Sequence, residues 1–240
     1  MRLDKYLSDC SGVTRTQARR SIRSGAVSVC GSICRDASTQ VGDADTVRLL
    51  GRAIEPEQTR VVMMDKPAGY ITAASDATLH SNHTVCSLLP IRYAKFMPIG
   101  RLDVDTTGLL LFTSDGELAH RVISPKYRIP KKYAAKIDRP ITDDDVDAFA
   151  GGLALHGFTA LPALLERGEN AATATVTVYE GKFHQVKRMF ASRGIAVVKL
   201  RRLSVAGICV SGVGEGETRP LTDDEECALY EAVGLRRGEG

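Results

Sequence analysis

The feature that most constrains the fold is a break in the apolar pattern between Leu50 and Arg60. Apolar residues recur at regular spacing on either side, whereas this segment (LGRAIEPEQTR) combines glycine, proline and polar residues. Such a composition is typical of a linker. The sequence therefore predicts two domains, over residues 1–48 and 61–234, with a linker over residues 49–60 and a flexible tail over residues 235–240.

Residues 1–48 predict two helices followed by a β-hairpin. Leu3, Tyr6 and Leu7 recur at helical spacing, and the sequence from Thr14 to Gln17 is a capping-box pattern that begins a second helix. Short apolar runs at 26–30 and around residue 33 flank a turn predicted at residues 31–32, and a further strand is expected at 46–50.

The rest of the chain mixes strands and helices without a regular alternation. Strands are predicted at residues 61–64, 108–113, 132–137, 173–179 and 195–200. Helices are predicted to begin at a Ser114–Glu117 capping box, at Thr142, near His184 and at Thr222. Because no βαβ rhythm is present, we expect an α+β fold with a mixed, mainly antiparallel sheet and flanking helices.

Charge is distributed very unevenly, although the formal net charge is only +3. Residues 14–35, 118–137 and 181–214 together contain 18 of the 32 Lys and Arg residues and none of the 29 acidic ones. Basic surfaces on an acidic body point to a polyanionic partner.

The first basic window places Arg15, Arg19 and Arg23 on one stripe of the second helix, with Arg20 beside it. Like charges at this spacing repel one another, and no acid in the window compensates them. Phosphates of a nucleic acid would do so. A solvated cationic face is the alternative interpretation.

Other classes of protein are disfavoured. The N-terminus lacks the apolar core of a signal peptide and no apolar run is long enough for a membrane span, so we expect a soluble, cytoplasmic protein. We also expect it to be a monomer. The six cysteines are scattered without metal-ligand spacing, so neither a metal nor another cofactor is expected.

The densest signal for chemistry is GRLDVDTTGLLLF at residues 100–112. Asp103 and Asp105 precede a buried strand, and a loop anchored in this way can hold a catalytic group rigidly. A turn rich in Asp and Thr, held by local hydrogen bonds, is the alternative. Residue types alone do not choose between the two carboxylates.

The N-terminal segment resembles the S4 RNA-binding domain, at residues 2–7 (RLDKYL), 11–18 (SGVTRTQA) and 25–31 (GAVSVCG). The resemblance implies binding to structured RNA through phosphates and shape, since side chains do not reach the bases in the deep groove of an RNA duplex.

Residues 100–111 (GRLDVDTTGLLL) closely resemble the central motif of the RsuA/RluB/E/F-type pseudouridine synthases. Residues 66–70 (KPAGY), 131–133 (KKY) and 181–190 (GKFHQVKRMF) resemble further motifs of that family, in the same order. The resemblance implies that Asp103 is the catalytic aspartate, that Tyr133 packs on the target base and that Lys187 pairs with Asp103. For His184 we expect hydrogen bonding at the helix start.

This family replaces the ribose bond to N1 of uracil by a bond to C5, which requires an ionised carboxylate but no cofactor. A cation beside Asp103 would favour that ionised form, and an aromatic face at Tyr133 would receive the unstacked base. Near the matched motifs, further basic residues are candidates for RNA contact. They are Lys66, Arg101, Arg121, Lys126, Arg128, Lys182, Arg188, Arg201 and Arg202.

The sequence thus predicts an rRNA pseudouridine synthase, whose partner is ribosomal RNA or an assembling small ribosomal subunit. Within the family it most resembles the branch that acts on small-subunit (16S) rRNA, and the 23S rRNA branches are the alternative. A non-catalytic S4-type RNA-binding or ribosome-assembly factor is a rival. A glycoside hydrolase that uses Asp103 and Asp105 is a second, weaker rival.

Overall fold

The computed structural model describes residues 1–11, 13–42, 44–54, 59–73 and 83–236. The chain forms two compact units, one of Met1–Thr59 with Pro90–Lys95 and one of Arg60–Leu89 with Phe96–Gly240. Residues 55–58 of the predicted linker and 237–240 of the predicted tail lie outside the described ranges. Within these ranges, no helix combines the length and apolarity that crossing a membrane requires.

The first unit contains two helices and a four-stranded antiparallel sheet. The helices are α1 (Leu3–Cys10) and α2 (Arg15–Arg23), and the strands are β1 (Val27–Val29), β2 (Ser32–Ile33), β3 (Val47–Leu49) and β4 (Arg52–Ile54), in the order β2-β1-β3-β4. Both helices bury apolar residues in one core with the sheet. This is the helix–helix–hairpin order that the sequence predicts.

Local signals explain the boundaries of these elements. The Thr14 hydroxyl accepts from the Gln17 amide at 3.2 Å and the Gln17 side chain accepts from the Thr14 amide at 2.9 Å, which is the predicted capping box. The hairpin turn lies at Cys30–Gly31 rather than at residues 31–32, because Val29 pairs with Ser32. Both turn residues have positive φ, as the tight hairpin geometry requires.

The predicted linker is partly wrong, since Arg52–Ile54 pair with β3 as an edge strand. A two-residue turn at Leu50–Gly51 reverses the chain, and both of its residues have positive φ. The Tyr6 hydroxyl donates to the Ile54 carbonyl at 2.9 Å and ties the strand to α1. Cross-strand pairing, which apolar periodicity does not report, places these residues in the first unit.

The second unit is built on a nine-stranded sheet, counted within the described residues. Its strands are β5 (Val61–Lys66), β6 (Met97–Pro98), β7 (Thr107–Thr113), β8 (Lys131–Ile137), β11 (Leu164–Arg167), β12 (Thr173–Val178), β13 (Val197–Val205), β14 (Ile208–Cys209) and β15 (Thr218–Pro220), and a separate hairpin is formed by β9 (Leu153–Leu155) and β10 (Phe158–Ala160). The main path runs β11-β12-β8-β13-β7-β5-β15. β13 and β7 are parallel and the other neighbours on this path are antiparallel, which confirms the predicted α+β class.

Four helices flank this sheet in the described part of the chain: α3 (Gly116–Ile123), α4 (Asp143–Gly151), α5 (Gln185–Ser192) and α6 (Asp223–Ala232). Thr142 and Thr222 form the N-caps of α4 and α6 with capping boxes. The capping box predicted from Ser114 to Glu117 is wrong. Asp115 is the N-cap instead, and its carboxylate accepts from the Glu117 and Leu118 amides at 3.0 Å, because an Asp side chain can satisfy two of the free amides alone.

The core of this unit lies between the sheet and helices α3 and α6. Leu109 and Leu111 of β7 pack in one cluster with Leu118 of α3 and Leu229 of α6, and all four are buried. The strand β7 is therefore fixed along its length. It begins directly after the loop that carries the candidate carboxylates.

Candidate active site

The loop with the two candidate carboxylates lies between β6 and β7. A turn closes it, since the Thr106 amide donates to the Asp103 carbonyl at 3.1 Å. Leu102, the residue before Asp103, makes two backbone hydrogen bonds with the buried Thr72 hydroxyl. The hydroxyl donates to the Leu102 carbonyl at 2.9 Å and accepts from the Leu102 amide at 3.1 Å. These bonds fix the backbone on both sides of Asp103.

Lys66 braces the same loop from the end of β5. Its side chain is fully buried, and the ammonium donates to the carbonyls of Pro67, Val104 and Thr106 at 2.9, 3.2 and 2.9 Å. Burial lowers the pKa of Lys66 to about 8. The prediction that Lys66 contacts RNA is wrong, because all three N–H donors are directed at backbone oxygens inside the protein.

One cation serves both carboxylates. The Lys187 Nζ atom lies 3.4 Å from Asp103 Oδ2 and 2.5 Å from Asp105 Oδ1. Lys187 therefore contacts Asp103 as expected, but it also contacts Asp105, and the contact with Asp105 is the shorter one. This hydrogen bond holds the pKa of Asp105 below its ordinary value. The two carboxylates differ in burial, with 24% of the Asp103 side chain exposed and 72% of the Asp105 side chain.

His184 has a different environment from the one predicted. It is the N-cap of α5 with φ 49° and ψ 29°, and its side chain makes no capping hydrogen bond. The imidazole Nε2 instead lies 3.5 Å from Asp103 Oδ1. The imidazole faces Asp103 and not the helix amides, so the expected hydrogen bonding at the helix start is wrong.

A cavity of about 380 Å³ brings these groups together. Asp103, Tyr133 and His184 all line it, whereas Asp105 is not among the lining residues. Tyr133 lies on β8 with only 8% of its surface exposed, and its neighbours in the sheet are Val176 of β12 and Arg202 of β13. An aromatic ring and a carboxylate thus meet in a space of the size that small ligands occupy.

A buried pair of polar side chains holds the loop between β12 and α5. Glu180 Oε1 accepts from Gln185 Nε2 at 2.9 Å and from the Leu161 amide at 2.8 Å, and Gln185 Oε1 accepts from the Lys182 amide at 3.0 Å. Both Glu180 and Gln185 line the cavity and are buried. Sequence reasoning missed this brace, because only the fold brings the two side chains together.

Three of the predicted RNA-contacting residues lie at or beside the cavity. Arg101 and Lys182 line it and are exposed. The Lys182 Nζ atom is 4.3 Å from the ring centre of Phe158, and the Arg188 guanidinium is 4.6 Å from the same ring and donates to the His156 carbonyl. These cations place positive charge at the cavity. Lys182 and Arg188 belong to the third basic window, whereas Arg101 belongs to the motif around Asp103.

The second basic window is divided in its roles. Arg121 donates to Glu117 and to the carbonyls of Val233 and Gly234, which ties α3 to the end of α6. Its prediction as an RNA contact is wrong, since its donors are used within the protein. Lys126 and Arg128 are exposed, and each lies near an aromatic ring at the surface.

Arg201 and Arg202 stabilise the sheet. Arg201 forms a two-pronged ion pair with Asp65 at 2.9 and 2.7 Å, and Arg202 is buried and donates to the Leu109 carbonyl at 2.7 Å. The predicted RNA contact is wrong for Arg202, because it is buried like Lys66. Arg201 is paired with Asp65 but 39% of its side chain is exposed, so its RNA contact stays a prediction.

In the first unit, the arginine stripe of α2 is partly compensated. The fully buried Asp4 carboxylate accepts from Arg19 at 2.8 Å, from Arg15 at 2.9 Å and from Arg2 at 3.2 Å. Burial alone would raise the pKa of Asp4, but these hydrogen bonds outweigh it and hold the pKa well below its ordinary range. Residues 14–35 contain no acidic residue, and Asp4 of α1 supplies the negative charge that compensates Arg15 and Arg19. Arg20 and Arg23 are exposed and have no ion pair within the described residues.

Comparison with known proteins decides the family. The family model described as RNA pseudouridylate synthase matches residues 60–192, and that of the S4 domain matches residues 1–47. The chain belongs to the RNA pseudouridylate synthase family. This confirms the activity class and the N-terminal S4 domain that the sequence motifs predict, and it supports RNA as the substrate.

Relatives match this synthase over almost its whole length. The ribosomal small subunit pseudouridine synthase A of Escherichia coli K12 is 39% identical over 234 residues, covering 94% of this chain and 98% of the relative. The protein of the same name from Vibrio cholerae is 38% identical, covering 96% and 100%. A crystal structure of a pseudouridylate synthase superimposes with a TM-score of 0.66 at 35% identity, covering 95% of this chain and 99% of that one.

Proposed function

We propose that this synthase isomerises one uridine of small-subunit (16S) rRNA to pseudouridine, with Asp103 as the catalytic carboxylate. The observation that carries the proposal is the position of Asp103. It lines the cavity, is three-quarters buried, and lies within 3.5 Å of both Lys187 and His184. A base that enters the cavity therefore meets a carboxylate whose backbone is already fixed by hydrogen bonds.

Asp105 is the less suitable carboxylate. It makes the shorter contact with Lys187, but its side chain is largely exposed and does not line the cavity. We infer that Lys187 positions the loop by bridging the two carboxylates and supplies positive charge beside Asp103. Tyr133 would stack on the uracil ring, since it is an aromatic residue that lines the same cavity.

The reaction needs the glycosidic bond to N1 broken, the uracil turned, and a new bond formed from C5 to the ribose with loss of the C5 proton. The Asp103 carboxylate is suited to act as the nucleophile, at the sugar or at the base, or as the base that removes a sugar proton. In each case the walls of the cavity keep the detached uracil beside the ribose while it turns.

The choice of RNA rests on the S4 domain and on the relatives. Relatives that match nearly the whole chain are named for the small ribosomal subunit. Exposed Arg20 and Arg23 on α2 are available for phosphates of a structured RNA. We propose a cytoplasmic monomer that acts on naked small-subunit rRNA or on an assembling subunit.

Tritium release tests the proposal directly, because the hydrogen at C5 of uracil leaves during isomerisation. Transcribed small-subunit and large-subunit rRNAs labelled with 5-tritiated uridine would be treated with wild type, Asp103→Asn and Asp105→Asn proteins. We expect release from the small-subunit RNA by wild type, and a loss of at least about 100-fold in the Asp103→Asn protein. The Asp105→Asn protein, which also loses a carboxylate beside Lys187, is the matched control and should retain most of the activity.

The alternatives predict different results in the same experiment. Release from large-subunit rRNA alone would identify the synthase as one of the 23S type. A protein that binds rRNA but releases no tritium would be a non-catalytic RNA-binding or assembly factor. Equal loss of activity in both Asn variants would contradict the role given to Asp103.

A further inference from the structure

Phe183 is an exposed aromatic residue at the mouth of the Asp103 cavity. Its side chain lines the cavity, yet 72% of its surface is open to solvent. A phenyl ring in this position contributes little to the core, since burial of apolar area is what makes such a ring stabilising. Its position beside the cavity leaves the ring accessible to a molecule that binds there.

The ring packs against a neighbouring aromatic side chain. It stacks on the His184 imidazole, with the ring centres 3.8 Å apart and the planes inclined by 18°. Because His184 covers one face, the exposed area belongs mainly to the opposite face and the edge of the phenyl ring. The brace between Glu180 and Gln185, together with the Lys182 amide, fixes the backbone that carries the pair.

The surroundings of Phe183 suit a nucleotide. Arg101 and Lys182 line the same cavity, where Lys182 is paired with Glu180 at 3.6 Å and Arg101 has no ion pair within the described residues. Arg101 therefore supplies the positive charge for a phosphate backbone. An apolar face in a cavity that also holds a cation can bind an unpaired base through stacking and a phosphate through charge. A purely apolar partner would not use the cations.

We propose that Phe183 forms a stacking site for the nucleobase adjacent to the target uridine in the same RNA strand. This inference rests on the proposed function. When the uridine leaves its helix to enter the cavity, the neighbouring base loses a stacking partner. The exposed face of Phe183 lies at the cavity mouth and replaces that partner, so it lowers the cost of extracting the uridine.

A fluorescent substitution tests the contact itself. The sequence contains no tryptophan, so the Phe183→Trp protein has a single indole at the proposed site. Titration with transcribed small-subunit rRNA should quench its fluorescence, because stacking on a base quenches an indole. The matched control is Leu164→Trp, at a position that is 52% exposed on β11 and outside the cavity lining, and its emission should stay constant.

A kinetic comparison tests the contribution to binding. Removal of one base-stacking ring is expected to weaken RNA binding by about 5- to 100-fold. The Phe183→Ala protein should therefore show a raised KM in the tritium-release assay with a smaller change in kcat, because the ring contacts a neighbouring base rather than the reacting atoms. The Phe183→Tyr protein, which keeps the aromatic face, should have a KM close to that of wild type.

The two measurements separate this inference from the proposed function. An active wild type with an unquenched Phe183→Trp indole, or with an unchanged KM in Phe183→Ala, would overturn the stacking site and leave the proposed function intact. Absence of tritium release from wild type would overturn the proposed function instead. Quenching requires binding only, so in that case it would still show whether a base stacks on residue 183.

Discussion

Replacement of Gly108 by alanine is predicted to weaken the fold strongly, because two strands meet closely there. Gly108 lies near the start of β7, pairs with Arg202 of β13, and has φ +99°. A Cβ atom added there would lie 2.2 Å from the Arg202 carbonyl oxygen and 2.8 Å from its amide nitrogen. Both atoms belong to the backbone of a paired strand, so no flexible side chain can move aside.

The cost of Gly108→Ala can be divided into two parts. Placing an alanine at positive φ costs about 1–2 kcal/mol, and forcing two packed strands apart costs about 1–3 kcal/mol. The free energy of unfolding should therefore fall by about 2–5 kcal/mol. The control Gly207→Ala has φ +84° with nothing within 4 Å of its Cβ, so it should show only the first part of the cost.

Urea unfolding followed by far-ultraviolet circular dichroism measures these differences. A third variant, Gly116→Ala, has free space and no positive φ at the first residue of α3, and it should be neutral or slightly stabilising. From most to least stable, the expected order is Gly116→Ala, Gly207→Ala, Gly108→Ala. If Gly108→Ala were no less stable than Gly207→Ala, the close approach of β7 and β13 would be refuted.

Three further predictions concern charged residues. The Asp4→Asn protein should be less stable than wild type at neutral pH. Because the pKa of Asp4 is lowered in the folded state, wild type should lose this advantage as the pH falls below about 4. If the urea midpoints of the two proteins depended equally on acid pH, this prediction would be contradicted. Burial lowers the pKa of Lys66 to about 8, so above that pH the unfolded chain binds more protons than the folded one. Urea midpoints should therefore show wild type gaining stability relative to Lys66→Met as the pH rises above 8. A constant difference between the two midpoints would count against this prediction. Replacing Arg20 and Arg23 by Gln should make rRNA affinity less dependent on salt. The slope of log affinity against log salt concentration should become shallower by about 0.7–0.9 for each phosphate that the variant no longer neutralises. An unchanged slope would identify the pair as a solvated face.

Features that depend on neighbouring residues in the chain are accessible from the sequence. The N-caps at Thr14, Thr142 and Thr222 are formed by hydrogen bonds within three residues, so the capping pattern predicts them correctly. The motif around Asp103 likewise indicates the family. The α+β class follows from the irregular order of strands and helices.

Features that depend on distant partners are not accessible in this way. The motif at residues 66–70 marks Lys66 but not its burial, and only the fold brings three carbonyls to its ammonium. The same holds for Asp4, which compensates Arg15 and Arg19 from another helix. The contact of His184 with Asp103, which replaces a cap on its own helix, joins residues 81 positions apart and has no marker in the residue types.

A map of pseudouridines in small-subunit rRNA from cells that lack this gene tests most directly whether Asp103 forms a pseudouridine there. We predict that deletion removes one pseudouridine, that wild type and Asp105→Asn genes restore it, and that an Asp103→Asn gene does not. An unaltered pseudouridine pattern in the deleted cells, or restoration by the Asp103→Asn gene, would contradict the account.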